Sequence, residues 1–480
     1  MKKTDMNPIN EALTYYLVPF YNNHIREYIL HEYITLQESG GYEMSKRGIR
    51  YMASLISLLM MTGMLAACGN GGSGDTGGAS GTNLTLLTDN SQDAVNVADA
   101  LKAAYEKKNP GVTVEVETRP GGSEGDNLVK TRLATGDMTD VFFYNSGSLM
   151  TVLSPEANME DLTGEAFQAN VSDDFKSTVS MNGKVYGAPV GATMSSGWFY
   201  NKKIYKDLGL SVPKTWDELM ANNEKIKAAG ITPVIGTMKD SWTAQVILLA
   251  DQYNVAQAAP NFAKDFTAHQ ATFAGTPAAL RSFEKLQQVF DKGYWNKDFL
   301  AATYDNGIKM LAEGKGAQYP MLSFALPVIQ QNFPDQVDNI GFFAQPGDSA
   351  DKNGLTVWMP GAAYVYKNGS NVEAAKKFVA FIASKEGAAA IATVSTPTGP
   401  YPVKDAQMPD NIPSAVKDML PYFDQNKTSL ALEFVSPIKG PGLPQIAVEV
   451  GAGIKKAPEG AASYDQDVEK QAKQMGLEGW

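Results

Sequence analysis

The sequence predicts an α/β protein built on a mainly parallel sheet, and three observations carry that expectation. Between Asn83 and Gly147, short β-rich apolar runs alternate with amphipathic helical runs, the pattern of right-handed βαβ units. The strand-like runs end on polar turn residues, Asp89-Asn90-Ser91 and Asn145-Ser146-Gly147. The chain has 480 residues, 44% hydrophobic and 19% charged. That composition excludes a fully disordered chain and a multi-span membrane protein.

The N-terminal part reads as an address. In residues 44–68, Lys46, Arg47 and Arg50 form a basic region, Tyr51 to Met64 an apolar one, and Ala66-Ala67 precede Cys68. This is secretory-signal anatomy. Leu65-Ala66-Ala67-Cys68 resembles the bacterial lipoprotein box, in which the cysteine is lipidated and becomes the first residue. A single membrane anchor is the competing reading. Residues 68–82 then form a Gly/Ser tether. Residues 1–43 do not fit a signal that starts at Met44. Ser39-Gly40-Gly41-Tyr42-Glu43 can encode an in-frame ribosome-binding sequence and spacer, so 1–43 are expected to be a mis-assigned start extension. A genuine cytoplasmic extension is the alternative.

In the body, Asn83 to Thr88 reads as a strand and Ala94 to Lys108 as a helix, with Val97, Leu101, Ala104 and Tyr105 on one face. Asn109-Pro110-Gly111 stops it. Val112 to Val116 alternates as a strand, Asn127 to Thr135 is helical, and Asp140 to Tyr144 is a buried strand. Arg119-Pro120-Gly121-Gly122-Ser123-Glu124 reads as a solvated loop, with the rim of a ligand cleft as the competing reading. Lys202 to Leu208 is a helix closed by Gly209. Thr215 caps the next helix, with Glu218 at the capping-box position. Ser241 to Gln252 starts on a cap-like Ser241. Ala279 to Lys292 is amphipathic and is broken by Gly293. Asn306 to Glu313 is a helix, Ala317 to Leu322 a strand, Ala362 to Lys367 a strand, and Val372 to Ala383 a helix. Thr396 to Pro400 is a crossover loop, and Ser463 to Met475 a terminal helix.

Several chemistries drop out. The net charge is −11, unsuited to neutralising phosphates, so no nucleic-acid partner is expected. Cys68 is the single cysteine, and the histidines are His24, His31 and His269. If the chain is processed at Cys68, disulfides, cysteine nucleophiles and Cys- or His-cluster metal sites are gone. No cofactor and no metal are expected. Gly69-x-Gly71-x-x-Gly74 matches a dinucleotide fingerprint by letters, but follows a cleavage site rather than a strand. Asp348 to Gly354 lacks the carboxylate a calcium loop needs, since Pro360 stands at that place.

The order of segments resembles the family 1 extracellular solute-binding proteins of ABC importers, the carbohydrate-binding group related to maltose-binding protein. The resemblance is carried by Asn182-Gly183-Lys184-Val185-Tyr186-Gly187-Ala188-Pro189, Phe199-Tyr200-Asn201-Lys202-Lys203, Pro213-Lys214-Thr215-Trp216-Asp217-Glu218-Leu219, Gly314-Lys315-Gly316-Ala317 and Ala374-Ala375-Lys376-Lys377-Phe378 with Ser384-Lys385-Glu386-Gly387. It implies two α/β lobes, a periplasmic-binding-protein-like fold with hinge strands and an interlobe ligand cleft. Lobe I would be 83–190 with 355–398, and lobe II 191–345 with 399–480. It further implies closure around ligand by a hinge motion, a permease partner, a membrane contact through the lipid anchor only, and a monomer.

A sugar offers C–H faces to aromatic rings and hydroxyls to amides, carboxylates and hydroxyls. Trp242, Trp358 and Phe324 are the candidate stacking rings, with a buried core aromatic as the competing reading for each. Trp216 is expected to pack a helix start, and Trp198 is open between core and cleft. Asp89, Asn90, Asn145 and Ser146 are the polar candidates, because ligands of open sheets sit beyond the carboxyl ends of strands. Their competing role is capping and turns. The expected function is a sugar carrier, not an enzyme. A surface glycoside hydrolase or lyase is the second reading, though no G-x-S-x-G or H-E-x-x-H occurs. A third is the same fold carrying a polyamine. Ferric-ion relatives use adjacent tyrosines, and the only such pair here is Tyr15-Tyr16, inside the extension.

Overall fold

The computed structural model describes residues 81–480. Residues 1–43, the signal at 44–67, Cys68 and nearly all of the tether lie outside the described residues. Among those described, no helix is long and apolar enough to cross a membrane.

Two sheets organise the chain. The first runs β2 (Val112–Arg119), β1 (Thr82–Asp89), β3 (Val141–Tyr144), β12 (Ala362–Val365), β6 (Gly187–Pro189). β1 is parallel to both β2 and β3, as βαβ units require. β12 is antiparallel to β3 and β6, so the chain returns to this sheet from elsewhere. Helices Gln92–Lys108 and Val372–Ile382 bury Leu101, Tyr105, Phe378 and Val379. The Tyr105 and Phe378 rings meet at 4.8 Å. A two-residue hairpin, β4 (Ser180–Met181) with β5 (Lys184–Val185), turns through Asn182 and Gly183, both at positive φ. Asn-Gly suits such a turn because both residues tolerate that conformation.

The second sheet runs β13 (Thr428–Leu430), β11 (Leu355–Trp358), β7 (Met194–Asn201), β9 (Gly316–Leu322), β8 (Thr232–Val234), with β10 (Ile340–Ala344) also on β7. β7 is buried along nearly its whole length. Gly197 sits where a Cβ would come within 2.5 Å of the Phe343 carbonyl oxygen, so β7 and β10 approach as only glycine allows. Trp198, Trp216, Phe343 and Phe283 fill the second lobe's core.

Three passages join the lobes: 190–193, 359–361 and a third beyond Lys404, with Thr398-Gly399-Pro400 running alongside the first. The Val190 N–H donates to the Gly361 carbonyl at 3.0 Å, and the Thr193 N–H donates to the Pro400 carbonyl at 2.9 Å. Gly191 has φ of 98°. Two lobe assignments move. Residues 355–358, expected in lobe I, form β11 in the second sheet, because Thr356 and Val357 pair with Ser196 and Ser195. The chain re-enters lobe I only past Gly361. The return expected at 399 also comes later. The Ser172 N–H donates to the Pro402 carbonyl at 2.8 Å and the Lys404 N–H to the Asn170 carbonyl at 2.7 Å, holding this stretch on lobe I.

Three element boundaries also differ. β2 continues to Arg119 and the next helix spans Gly122–Thr135, so the expected loop 119–124 is mostly regular structure. Ser241 does not cap its helix. The first turn is a tight 3₁₀ segment, Ser241–Gln245, preceded by Asp240. The last helix starts at Ala457, where Glu459 reaches back to the Lys456 N–H at 3.1 Å.

Candidate functional site

An opening of about 850 Å³ lies between the lobes. Gln92, Asp93 and Asn96, from the first turns of helix Gln92–Lys108, line it from lobe I. Phe324, Val328 and Gln331 line it from lobe II. Gly191, Pro360 and Gly361 contribute from the crossovers, Met194 from the start of β7, and Thr396 and Tyr401 from the segment that leads to the third passage. Asp93 is the only charged residue among those lining it. Amides, hydroxyls and apolar surface make up the rest.

The Tyr401 hydroxyl is buried without a hydrogen-bond partner among the described residues. Burial pushes its pKa up to about 12. It is therefore a protonated donor at any physiological pH, as is the Tyr304 hydroxyl, which is likewise unpartnered and raised by burial.

Phe324 belongs to a cluster of three rings. Trp242 lies 5.3 Å from Tyr304 and 5.8 Å from Phe324, and Tyr304 lies 6.0 Å from Phe324, all tilted. Such tilted pairs suit the ring quadrupoles. Local chemistry places each ring. Phe324 follows β9, whose end is tied across to β7 by the Ser195 N–H donating to Ser323 Oγ at 2.9 Å. Tyr304 opens the helix Tyr304–Ala312, capped by Thr303 in a reciprocal box with Asn306. The Tyr304 N–H donates to Asp240 Oδ2 at 2.6 Å, which couples it to the turn carrying Trp242. The structure thus brings Trp242 and Phe324 together, and adds Tyr304, which sequence reasoning missed. Its usable signal was the same as Trp242's: an aromatic in the first turn of a helix after a loop.

The other sequence candidates lie elsewhere or are committed. Trp358, at the end of β11, is only 8% exposed, and its indole N–H bonds Glu433. It lines a separate small cavity with Leu248 and Tyr464, and none of that cavity's residues lines the interlobe opening. The Ser146 hydroxyl is buried and donates to the Pro360 carbonyl at 2.9 Å. Asn145 is exposed, while its carbonyl accepts from the Tyr364 hydroxyl at 2.9 Å. Asp89 Oδ1 accepts from the Ser91 N–H at 2.8 Å, and Asn90 is exposed beside it. Trp198 is fully buried in the second core. Trp216 is buried as well, donating to Gln288 Oε1 at 2.7 Å and lying 5.5 Å from the Lys285 ammonium.

Comparison with known proteins gives a consistent result. The sequence profile of the bacterial extracellular solute-binding proteins matches residues 88–389. A multiple sugar-binding protein of Streptococcus mutans is 29% identical over 283 residues, covering 58% of this chain and 66% of that protein. An uncharacterized ABC transporter extracellular-binding protein of Pyrococcus horikoshii is 26% identical over 300 residues, 60% of this chain and 64% of that one. The chain therefore spans just under two thirds of the length of these relatives. Among solved structures, the apo form of RafE from Streptococcus pneumoniae superposes with a TM-score of 0.67 at 20% identity, covering 82% of this chain and 100% of that one. A chitin oligosaccharide binding protein gives 0.66 at 19%, with 82% and 100% covered. At such identities the structures establish the two-lobe fold. The chain belongs to the bacterial extracellular solute-binding protein family.

Proposed function

We propose that the protein is the lipid-anchored binding component of an ABC importer, which closes on a neutral oligosaccharide and delivers it unchanged to a permease. The lining of the interlobe opening carries this reading. It combines one aromatic face, Phe324 backed by Trp242 and Tyr304, with the amides of Gln92, Asn96 and Gln331 and a single carboxylate. Rings stack on the C–H faces of sugars, and amides bond their hydroxyls. A polyamine needs several carboxylates, and a glycoside hydrolase needs two at a set separation. The lining supplies Asp93 alone, and Asp89 at the rim is paired with Arg119, an arrangement that suits neither. The relatives agree in kind: one is a multiple sugar-binding protein, and one RafE structure holds raffinose. Asp89, Asn90 and Asn145 stay in the proposal as rim groups reached on closure, whereas the buried Ser146 and Trp358, bonded to Pro360 and Glu433, drop out of it. The anchor would be Cys68, and the acyl chains would hold the protein at the outer face of the membrane.

Calorimetric titration against raffinose, stachyose, chito-oligosaccharides and spermidine tests the ligand. Binding of a neutral saccharide with no release of reducing ends supports a carrier. Product formation would make it an enzyme, and binding of spermidine alone would reassign the cargo. Cys68→Ala should release the protein from membranes into the medium.

A further inference from the structure

Arg119 closes β2 and is only 6% exposed. A guanidinium stays charged at any relevant pH, so a buried one needs compensating partners nearby. Its Nη1 lies 3.9 Å from Asp89 Oδ2 and donates to the Pro120 carbonyl at 3.1 Å. The guanidinium carbon sits 5.5 Å from the centre of the Tyr144 ring. Asp126, on the next helix, faces the same tyrosine, whose hydroxyl is pushed up by burial and then by that carboxylate. Arg119 Nε has no partner among the described residues.

The backbone is cut to fit this arrangement. Asp89 and Arg119 stand directly opposite in the β1–β2 register, and the Asn90 N–H donates to the Arg119 carbonyl at 2.8 Å. A Cβ at Gly121 would come within 3.2 Å of Asp89 Oδ2, and one at Gly125 within 2.6 Å of Arg119 Nη1. Asp89 Oδ1 is thus hydrogen-bonded to the Ser91 amide, and Oδ2 lies in ion-pair range of the guanidinium at 3.9 Å. Three residues further along the chain, Gln92 lines the interlobe opening.

We infer that Arg119 is a positioning residue of the ligand site: it keeps the Asp89 carboxylate in one orientation just before the helix whose Gln92 and Asp93 line the opening, as an acceptor for a sugar hydroxyl that reaches it on closure. This rests on the sugar-carrier reading. Arg119 itself touches no ligand. A side chain that acts only through another has a distinctive signature in a double-mutant cycle.

The probe is the tightest saccharide of the panel above, measured on Arg119→Gln, Asp89→Asn and the double variant. Each single variant should lose about tenfold or more in affinity, and the double should be no weaker than Asp89→Asn alone. Arg119→Lys, which keeps the charge without the planar fork, should recover part of the loss. It also serves if Arg119→Gln does not fold. Additive losses, or an unchanged affinity in Arg119→Gln, overturn the inference. A crystal structure of ligand-free Arg119→Gln or Arg119→Lys tests it without sugar. Asp89 should leave its single orientation, and an unmoved Asp89 overturns the inference. A wild-type protein that binds no saccharide overturns the carrier reading instead, and the crystal result still decides the role of Arg119.

Discussion

Phe434 of the second lobe lies against Gly147 of the first, so close that a methyl group at position 147 would come within 2.6 Å of the ring's Cδ1. Gly147 follows β3 at φ 73° and ψ −144°, and its N–H donates to the Thr178 carbonyl at 2.7 Å. Phe434 sits in the short helix Leu432–Val435 directly after β13. The two lobes meet here at a point away from the crossovers, and the contact depends on the missing side chain.

Gly147→Ala should therefore act twice. A backbone conformation that only glycine adopts freely costs about 1–3 kcal/mol for another residue, and the methyl pushes the ring away. Urea unfolding should show a lower midpoint, and small-angle scattering a larger radius of gyration. Adding Phe434→Ala should restore the radius but not the midpoint, since the backbone strain stays.

The ring cluster makes a second prediction. Phe324→Ala and Trp242→Ala should each weaken saccharide binding by about tenfold or more, roughly 1.4 kcal/mol. Far-UV circular dichroism should remain that of the wild type. Phe324→Ala should cost more affinity than Trp242→Ala, because Phe324 lines the opening and Trp242 supports it. Titrations followed by tryptophan fluorescence would rank them.

Lys285 and Asp251 form an ion pair of 2.5 Å with both side chains 1% exposed. The ammonium also donates to the Pro346 carbonyl at 2.9 Å. Lys285→Met leaves a buried carboxylate without its cation and should destabilise by about 3–5 kcal/mol. Replacing both, Lys285→Met with Asp251→Leu, should recover most of that loss. Denaturant melts of the single and double variants measure both numbers. A single variant within 1 kcal/mol of wild type, on the order of surface changes, would show that the pair is not desolvated.

Glu218 supplies a pH dependence. The backbone N–H groups of Lys214 and Thr215 bond its carboxylate, at 2.7 and 3.2 Å, and hold its pKa below the ordinary 4.5. Between the folded and unfolded values the unfolded chain binds more protons, so stability rises with pH there. The contribution is full above the ordinary carboxylate value and fades as pH falls through the lowered one. Glu218→Gln should thus be less stable than wild type at pH 7, and the gap should narrow as the pH falls through the carboxylate range, by thermal melts across that range.

What could be read from the residues was local. Thr215 and Glu218 form the expected reciprocal cap because a capping box involves only four consecutive residues. The helix face of Leu101 and Tyr105, the parallel pairing of β1 with β2 and β3, and the break at Gly293 follow in the same way from periodicity and turn chemistry. Trp242 and Phe324 could be picked as rings at element ends, but nothing in their separation along the chain says that they touch.

The sequence by itself determined the α/β class, most of the helices and strands, and the family, because those depend on short-range patterns and segment order. The tertiary structure alone decided that Leu355–Trp358 joins the second sheet, since its neighbours, Ser195-Ser196 and Thr428 to Leu430, are distant in the chain. It alone buried Arg119 against Asp89, enclosed Trp358 beside Glu433, and set Tyr304 between Trp242 and Asp240. Burial and partnership depend on which surfaces the folded chain brings face to face, and a residue's own neighbours in sequence carry no record of that.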